Sequence, residues 1–324
     1  MMGGVPTPPL AIGLTPWLFD DGSLAQGFAA QAERAEALGF HSIWLPEHHF
    51  GAGAIPAPLL LLAAAAARTQ RLRLATTSFL LPLRHPLHVA EEVAVLDRLS
   101  NGRVILGIGR GFRRSTFDAF EVPPEEKRDR FEASVAALLD AWAGKPVAWE
   151  GDGEDARPIS VVPRPVQEPH PPLWVAAFGP KAMAQAGRLG LPYLASPIEP
   201  EAQLAANLAR HREACQAAGR ELPAEVPIMR TVFASRDVAQ LARATAALEA
   251  QARSLARAPA AALRRGAEAA VEAWAFVGEP QAVADRIAAY RERFGMTHLV
   301  VRSQIPGVEP AALEASLELV AELA

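Results

Sequence analysis

The segment WLPEHHF, residues 44–50, sets Glu47, His48 and His49 side by side directly after an apolar run and a proline. A carboxylate beside imidazoles suggests metal ligation or proton handling. Neighbouring side chains on an extended segment point to opposite faces, so His48 and His49 are poorly placed to chelate one ion, and no HExxH spacing accompanies them. The expectation is no metal site. One neutral imidazole would instead give or take a single hydrogen bond at a buried ligand. His49 is read as packing under the rim and bonding a backbone carbonyl.

Three other segments carry groups that bind rather than react. In GIGRGF (107–112) Arg110 lies between glycines. The backbone there can approach a ligand and the guanidinium can fork onto phosphate oxygens, unless Arg110 simply pairs with a surface carboxylate. In FGPKAMAQAGRLG (178–190) Gly179 and Pro180 open a helix. Its free N–H groups and Lys181 would make an anion site, so Arg110 and this helix start could hold one phosphate from two sides. TTSFLLP (76–82) puts small hydroxyl residues where a flat ring could lie close to the backbone. Taken alone, it reads equally well as strand and turn.

The elements that must carry these groups alternate. Strand candidates occur at 10–14, 41–46, 72–78, 103–109, 172–178, 192–196, 227–234 and 297–303, most of them separated by stretches of helical spacing. Several are apolar on both faces, as strands covered by helices must be. Eight strands with intervening helices make an α/β (β/α)8 TIM barrel, in which chemistry sits at the carboxyl ends of the strands. An open doubly wound sheet competes, but no Gly-rich dinucleotide fingerprint follows the first strand. The whole chain, 1–324, reads as one barrel domain with two insertions. One is a hairpin-like segment at 145–170, before the fifth strand. The other lies between the seventh and eighth strands and includes an Arg/Ala-rich stretch, 252–270, expected to act as a mobile cover.

Composition narrows the classes. Half of the 324 residues are hydrophobic and the formal net charge is -4, without a basic patch, which argues against nucleic acid. Cys215 is the sole cysteine, in a helical context, and reads as a buried neutral thiol. No signal-like start is apparent, and the apolar run at 57–67 is too short to span a membrane. A cytoplasmic protein is expected.

Together the motifs resemble the bacterial luciferase-like flavin monooxygenases. The likeness rests on GFHSIWLPEHHF, on LPLRHPLHVAEEVAVLDRLSNGRVILGIGRGF (81–112), on PLWVAAFGPKAM and on VGEPQAVADRI. It implies a barrel that binds reduced FMN without a covalent bond. It also implies dioxygen as co-substrate, a separate NAD(P)H:flavin reductase as partner, and a homodimer through helices near the second and third strands. By position, His48 matches the catalytic histidine near the flavin's reactive carbon. Thr77 and Ser78 match a pair joined by a non-proline cis peptide beneath the ring. Arg110 matches the arginine on the flavin phosphate, and Phe178, Gly179 and Ala182 match positions that hold that phosphate, with Lys181 beside them.

Relatives often carry serine and threonine where this chain has Gly179 and Ala182, so backbone N–H groups, Arg110 and Lys181 would take over. Gly109 replaces the luciferases' reactive cysteine, so light emission is not implied. Thr116 stands where many relatives have glutamate. Two alternatives stay open: hydride transfer with a deazaflavin coenzyme on the same fold, and a flavin-binding barrel without catalysis. Trp17, Phe50, Phe112, Arg230 and Arg302 are expected to line the substrate pocket with Phe178. Either arginine would pair with a substrate carboxylate or sulfonate, or with a neighbouring acidic residue.

Overall fold

The computed structural model describes residues 9–18, 23–51, 53–148, 158–177, 179–256, 264 and 268–323. Among them strands and helices alternate, and the chain divides into two compact units. One comprises Met1–Leu18, Ala37–Ser42 and Ala177–Ala324; the other comprises Phe19–Glu36 and Ile43–Ala176.

The Ile43–Ala176 unit holds β2 (Ser42–Pro46, entered after its first residue), β3 (Arg73–Leu80), β4 (Val104–Gly109) and β5 (Leu173–Ala176), neighbours in that order. The β3–β4 and β4–β5 ladders are parallel. Every residue of β4 is buried, as a central strand covered on both faces requires. Trp44 of β2 stacks on Trp174 of β5 with ring centroids 5.0 Å apart, a large apolar floor beneath the strand ends. Helices α1 (Ser23–Ala37), α2 (Pro58–Ala66), α3 (Pro86–Leu99), α4 (Arg114–Ala119) and α5 (Lys127–Trp142) follow the strands in the chain. Pro58 and Pro86 occupy first-turn positions, where a missing N–H costs no helical bond. Helix α3 packs against both α2 and α5.

Asp97, fully buried near the end of α3, accepts from the backbone N–H groups of Val166 and Gln167 at 2.8 and 3.0 Å and from the Gln167 amide at 2.7 Å. This carboxylate pins the returning chain before β5. Upstream, Val147 and Ile159 exchange two antiparallel backbone bonds of 2.9 Å; residues 149–157 of the expected insertion lie outside the described residues.

The other unit holds β1 (Ala11–Leu14), β6 (Tyr193–Leu194), β7 (Pro227–Ala234), β8 (Ala275–Gly278) and β9 (His298–Arg302). Here β1 pairs with β9, β9 with β7, and β7 with β8, all in parallel, while Ala195 bridges to Ile228 just past β6. Helices α6 (Pro180–Leu189), α7 (Glu201–Ala217), α8 (Val238–Leu255), α9 (Pro280–Phe294) and α10 (Pro310–Ala321) complete it.

Eight strands lie where the sequence expects them. The ninth, β8, is an addition: β7 runs on past β9, and its last residues, Thr231–Ala234, are paired by Ala275–Gly278. No strand was expected at 275–278. Of the expected cover at 252–270, residues 257–263 and 265–267 lie outside the described residues.

Candidate functional site

Extended geometry sorts the Glu47-His48-His49 cluster. Side chains two apart share a face, and Glu47 Oε1 indeed meets His49 Nε2 at 2.6 Å. The same oxygen accepts from Arg84 Nη1 at 2.5 Å, while Oε2 accepts from the Leu80 backbone N–H at 2.8 Å. Glu47 is 2% exposed and His49 8%. Glu47 therefore ties β2 to the end of β3. His49 packs edge-on against Phe120 with centroids 4.8 Å apart, and its ring nitrogen meets this carboxylate where a backbone carbonyl was expected.

His48 points the other way. Its backbone pairs with Ile55 through bonds of 3.1 and 2.9 Å, and its side chain is exposed. Even so, surrounding protein desolvates the ring, and this is the main reason its pKa falls below the ordinary value. Arg113 and His49 push the same way, and Glu47 opposes them. The ring thus has protein on one side and solvent on the other. It is neutral at neutral pH and keeps one donor and one acceptor.

Next to it, the β3–β4 ladder slips. Thr76 is level with Leu106 but Phe79 with Ile108, so Thr77 and Ser78 form a bulge on β3. The cis peptides among the described residues are Val162–Pro163 and Glu168–Pro169. The expected cis bond between Thr77 and Ser78 is thus corrected. Here the strand departs from its ladder through the bulge, without the roughly 3 kcal/mol of a cis bond ahead of a residue other than proline. Gly107 explains part of the glycine-rich run: a Cβ there would lie 1.9 Å from the Thr76 carbonyl oxygen. Gly111 takes φ 74°, a conformation that suits glycine.

Arg110 follows β4 and is half-buried. Burial lowers its pKa first and the neighbouring Arg128 second, with Glu132 in opposition. Lys127 is likewise lowered by burial, then by Arg110 and Arg128, and its Nζ lies 5.6 Å from the centre of the Phe117 ring. Arg110, Lys127 and Arg128 thus lie within electrostatic reach of one another, with Glu132 within reach of Arg110. Two of them open α5, the positive end of a helix, where cations are disfavoured. Sequence reasoning missed Lys127 and Arg128. The signal was there in EEKRDRFE, basic residues in a first helical turn. Phe50 and Phe112 are 60% and 46% exposed, and Phe50 stacks on Phe120.

In the other unit, Gly179 caps α6 at φ 77° with Pro180 in the first turn. Ala182 is buried and Lys181 exposed, while Phe178 lies outside the described residues. Trp17 is 3% exposed and belongs to the core. Arg230 is fully buried. Its Nη1 donates to the carbonyls of Ser196 and Met229 at 2.9 and 2.8 Å, and its guanidinium carbon lies 5.2 Å from the centre of the Tyr290 ring. Arg302, at the end of β9, donates to Thr231 Oγ1 at 3.3 Å and Gln251 Oε1 at 2.9 Å.

A family model described as luciferase-like monooxygenase matches residues 15–298. The oxygenase component of the flavin-dependent trigonelline monooxygenase of Acinetobacter baylyi is 34% identical over 154 residues, 46% of this chain and 42% of that protein. The F420-dependent glucose-6-phosphate dehydrogenase of Beutenbergia cavernae is 38% identical over 164 residues, 48% of each chain. The chain spans about half the length of the curated relatives it matches. Among solved structures, the monooxygenase RslO1 of Streptomyces bottropensis is 31% identical with a TM-score of 0.77, covering 97% of this chain and 98% of that one.

Proposed function

This chain belongs to the luciferase-like monooxygenase family and is an oxidoreductase, and from that premise we propose a flavin-dependent monooxygenase that uses reduced FMN and dioxygen to oxidise a small organic substrate. The observation that carries the reading is the cation set Arg110, Lys127 and Arg128 beside Glu132. Like charges gathered between the end of β4 and the start of α5 suit a dianion such as a phosphate ester, and Arg110, Lys127 and Arg128 would hold the cofactor's phosphate there. On the same reading, Thr77 and Ser78 lie along the flavin ring.

When bound, reduced FMN supplies two electrons: one oxygen atom of dioxygen enters the substrate and the other leaves as water. The chain's own work is to bind, orient and exclude water. His48, neutral, holds or accepts a single proton at the reactive edge. Glu47, bonded to Arg84, His49 and the Leu80 N–H, fixes the strand ends that aim it.

Strands β1–β7 and β9 close as a (β/α)8 barrel forming one domain, a separate NAD(P)H:flavin reductase supplies the cofactor, and the protein works in the cytoplasm. Among the described residues no helix is long and apolar enough to cross a membrane. Helices α2 and α3 pack together and expose Leu60, Val95 and Leu99, a surface suited to a homodimer.

Hydride transfer with a deazaflavin is the second reading, favoured by likeness to the F420-dependent enzyme. Anaerobic fluorescence titration with reduced FMN and with reduced deazaflavin coenzyme separates them. Tighter FMN binding, with substrate-dependent oxygen uptake, is expected; binding of deazaflavin alone would overturn the monooxygenase reading.

A further inference from the structure

Arg302 raises a question that the cofactor does not answer. It ends β9 beside Thr231, its register partner on β7, and is only partly open to solvent. Its two hydrogen-bond partners, Thr231 Oγ1 and Gln251 Oε1, are both neutral. No carboxylate among the described residues forms an ion pair with it. Burial alone lowers its pKa, to about 10, so the guanidinium still carries its charge at neutral pH. A desolvated cation without a counter-ion is costly, and replacing such a group by an apolar one often raises stability. Retaining it argues for an anion that arrives from outside.

The charge identifies the kind of anion. The three-cation set beside β4 suits a dianion, whereas one guanidinium neutralises one charge. The Nη groups are held by two neutral acceptors, which fixes the plane of the fork. A planar fork with a fixed orientation matches two coplanar oxygens.

We propose that Arg302, held by Thr231 and Gln251, anchors a singly charged oxyanion, a carboxylate or sulfonate, on the organic substrate. The assignment rests on the monooxygenase reading for its role in turnover, but its binding test needs neither flavin nor oxygen. Cofactor-free protein is titrated by calorimetry with benzoate, benzenesulfonate, benzamide and inorganic phosphate. Wild type is expected to bind benzoate or benzenesulfonate at least about tenfold more tightly than benzamide. Preference for benzoate assigns a carboxylate, and preference for benzenesulfonate a sulfonate. Arg302→Met should abolish the preference, keep FMN affinity, and melt no lower than wild type. Gln251→Leu, which leaves the charge but frees the fork, should weaken the preference several-fold.

Equal binding of anion and amide by wild type, tighter binding of phosphate than of either monoanion, or a preference that survives Arg302→Met would overturn the proposal. Failure of FMN to bind would strike the monooxygenase reading and leave this binding result standing.

Discussion

Glu47 and His48 are adjacent in the chain but do opposite work. Glu47 has the guanidinium of Arg84, the ring of His49 and the N–H of Leu80 on its two oxygens, with no solvent on its side chain. Truncating it strands a partly buried cation and a backbone donor, so Glu47→Ala should cost about 3 kcal/mol, read as a lower melting midpoint. A midpoint unchanged from wild type would show that the network is dispensable.

His48 has the free face, and its pKa lies below 6.5 because burial, Arg113 and His49 disfavour its charged form. The neutral ring is the working form, so turnover should hold as pH falls past 6.5 and drop only below it. Arg113→Ala removes a cation that opposes protonation, so the drop should move to higher pH. A drop that stays in place, or moves lower, would contradict this assignment. In the sequence the three residues stand together; strand alternation set His48 and His49 on opposite faces, and the family resemblance singled out His48. The sequence did not reveal that Glu47 and His49 serve each other, because Arg84 and Leu80 come from a different strand and turn.

At the scale of elements, β3 and β4 approach so closely that position 107 admits no side chain. Gly107→Ala would drive a methyl group into the Thr76 carbonyl, backbone that cannot swing aside. Loss of soluble folded protein, or a midpoint many degrees lower, is expected; a wild-type midpoint would refute the packing account. The glycine-rich run thus reflects strand contact as much as ligand approach, a distinction no one-dimensional pattern carries.

Strand periodicity made eight strands readable, since each is an apolar run bounded by turn residues. Strand β8 escaped because AFVG runs straight into Gly278, Glu279 and Pro280, which break the chain and open the next helix. Lys127 and Arg128 were missed for a related reason. Their meaning comes from Arg110, which stands at the end of the preceding strand and meets them only after α4 has turned the chain.

At the scale of the molecule, α2 and α3 of the Ile43–Ala176 unit bury many of their apolar residues but leave Leu60, Val95 and Leu99 exposed. The exposed Leu60 (73%) and Leu99 (64%) are costly on a free surface and suit a second copy of the chain. Leu60→Glu together with Leu99→Glu should convert the proposed dimer to a monomer by light scattering and remove any dependence of the melting midpoint on protein concentration. A wild-type monomer would remove the dimer from the account.

The central claim is that the cations after β4 grip the phosphate of a flavin. Calorimetric titration of the whole protein with FMN and with riboflavin, which differ by that phosphate, tests it most directly. FMN should bind at least about tenfold more tightly, and the double variant Lys127→Met, Arg128→Met should close most of the gap. Equal affinity for the two flavins, or a gap untouched by the double variant, would contradict it.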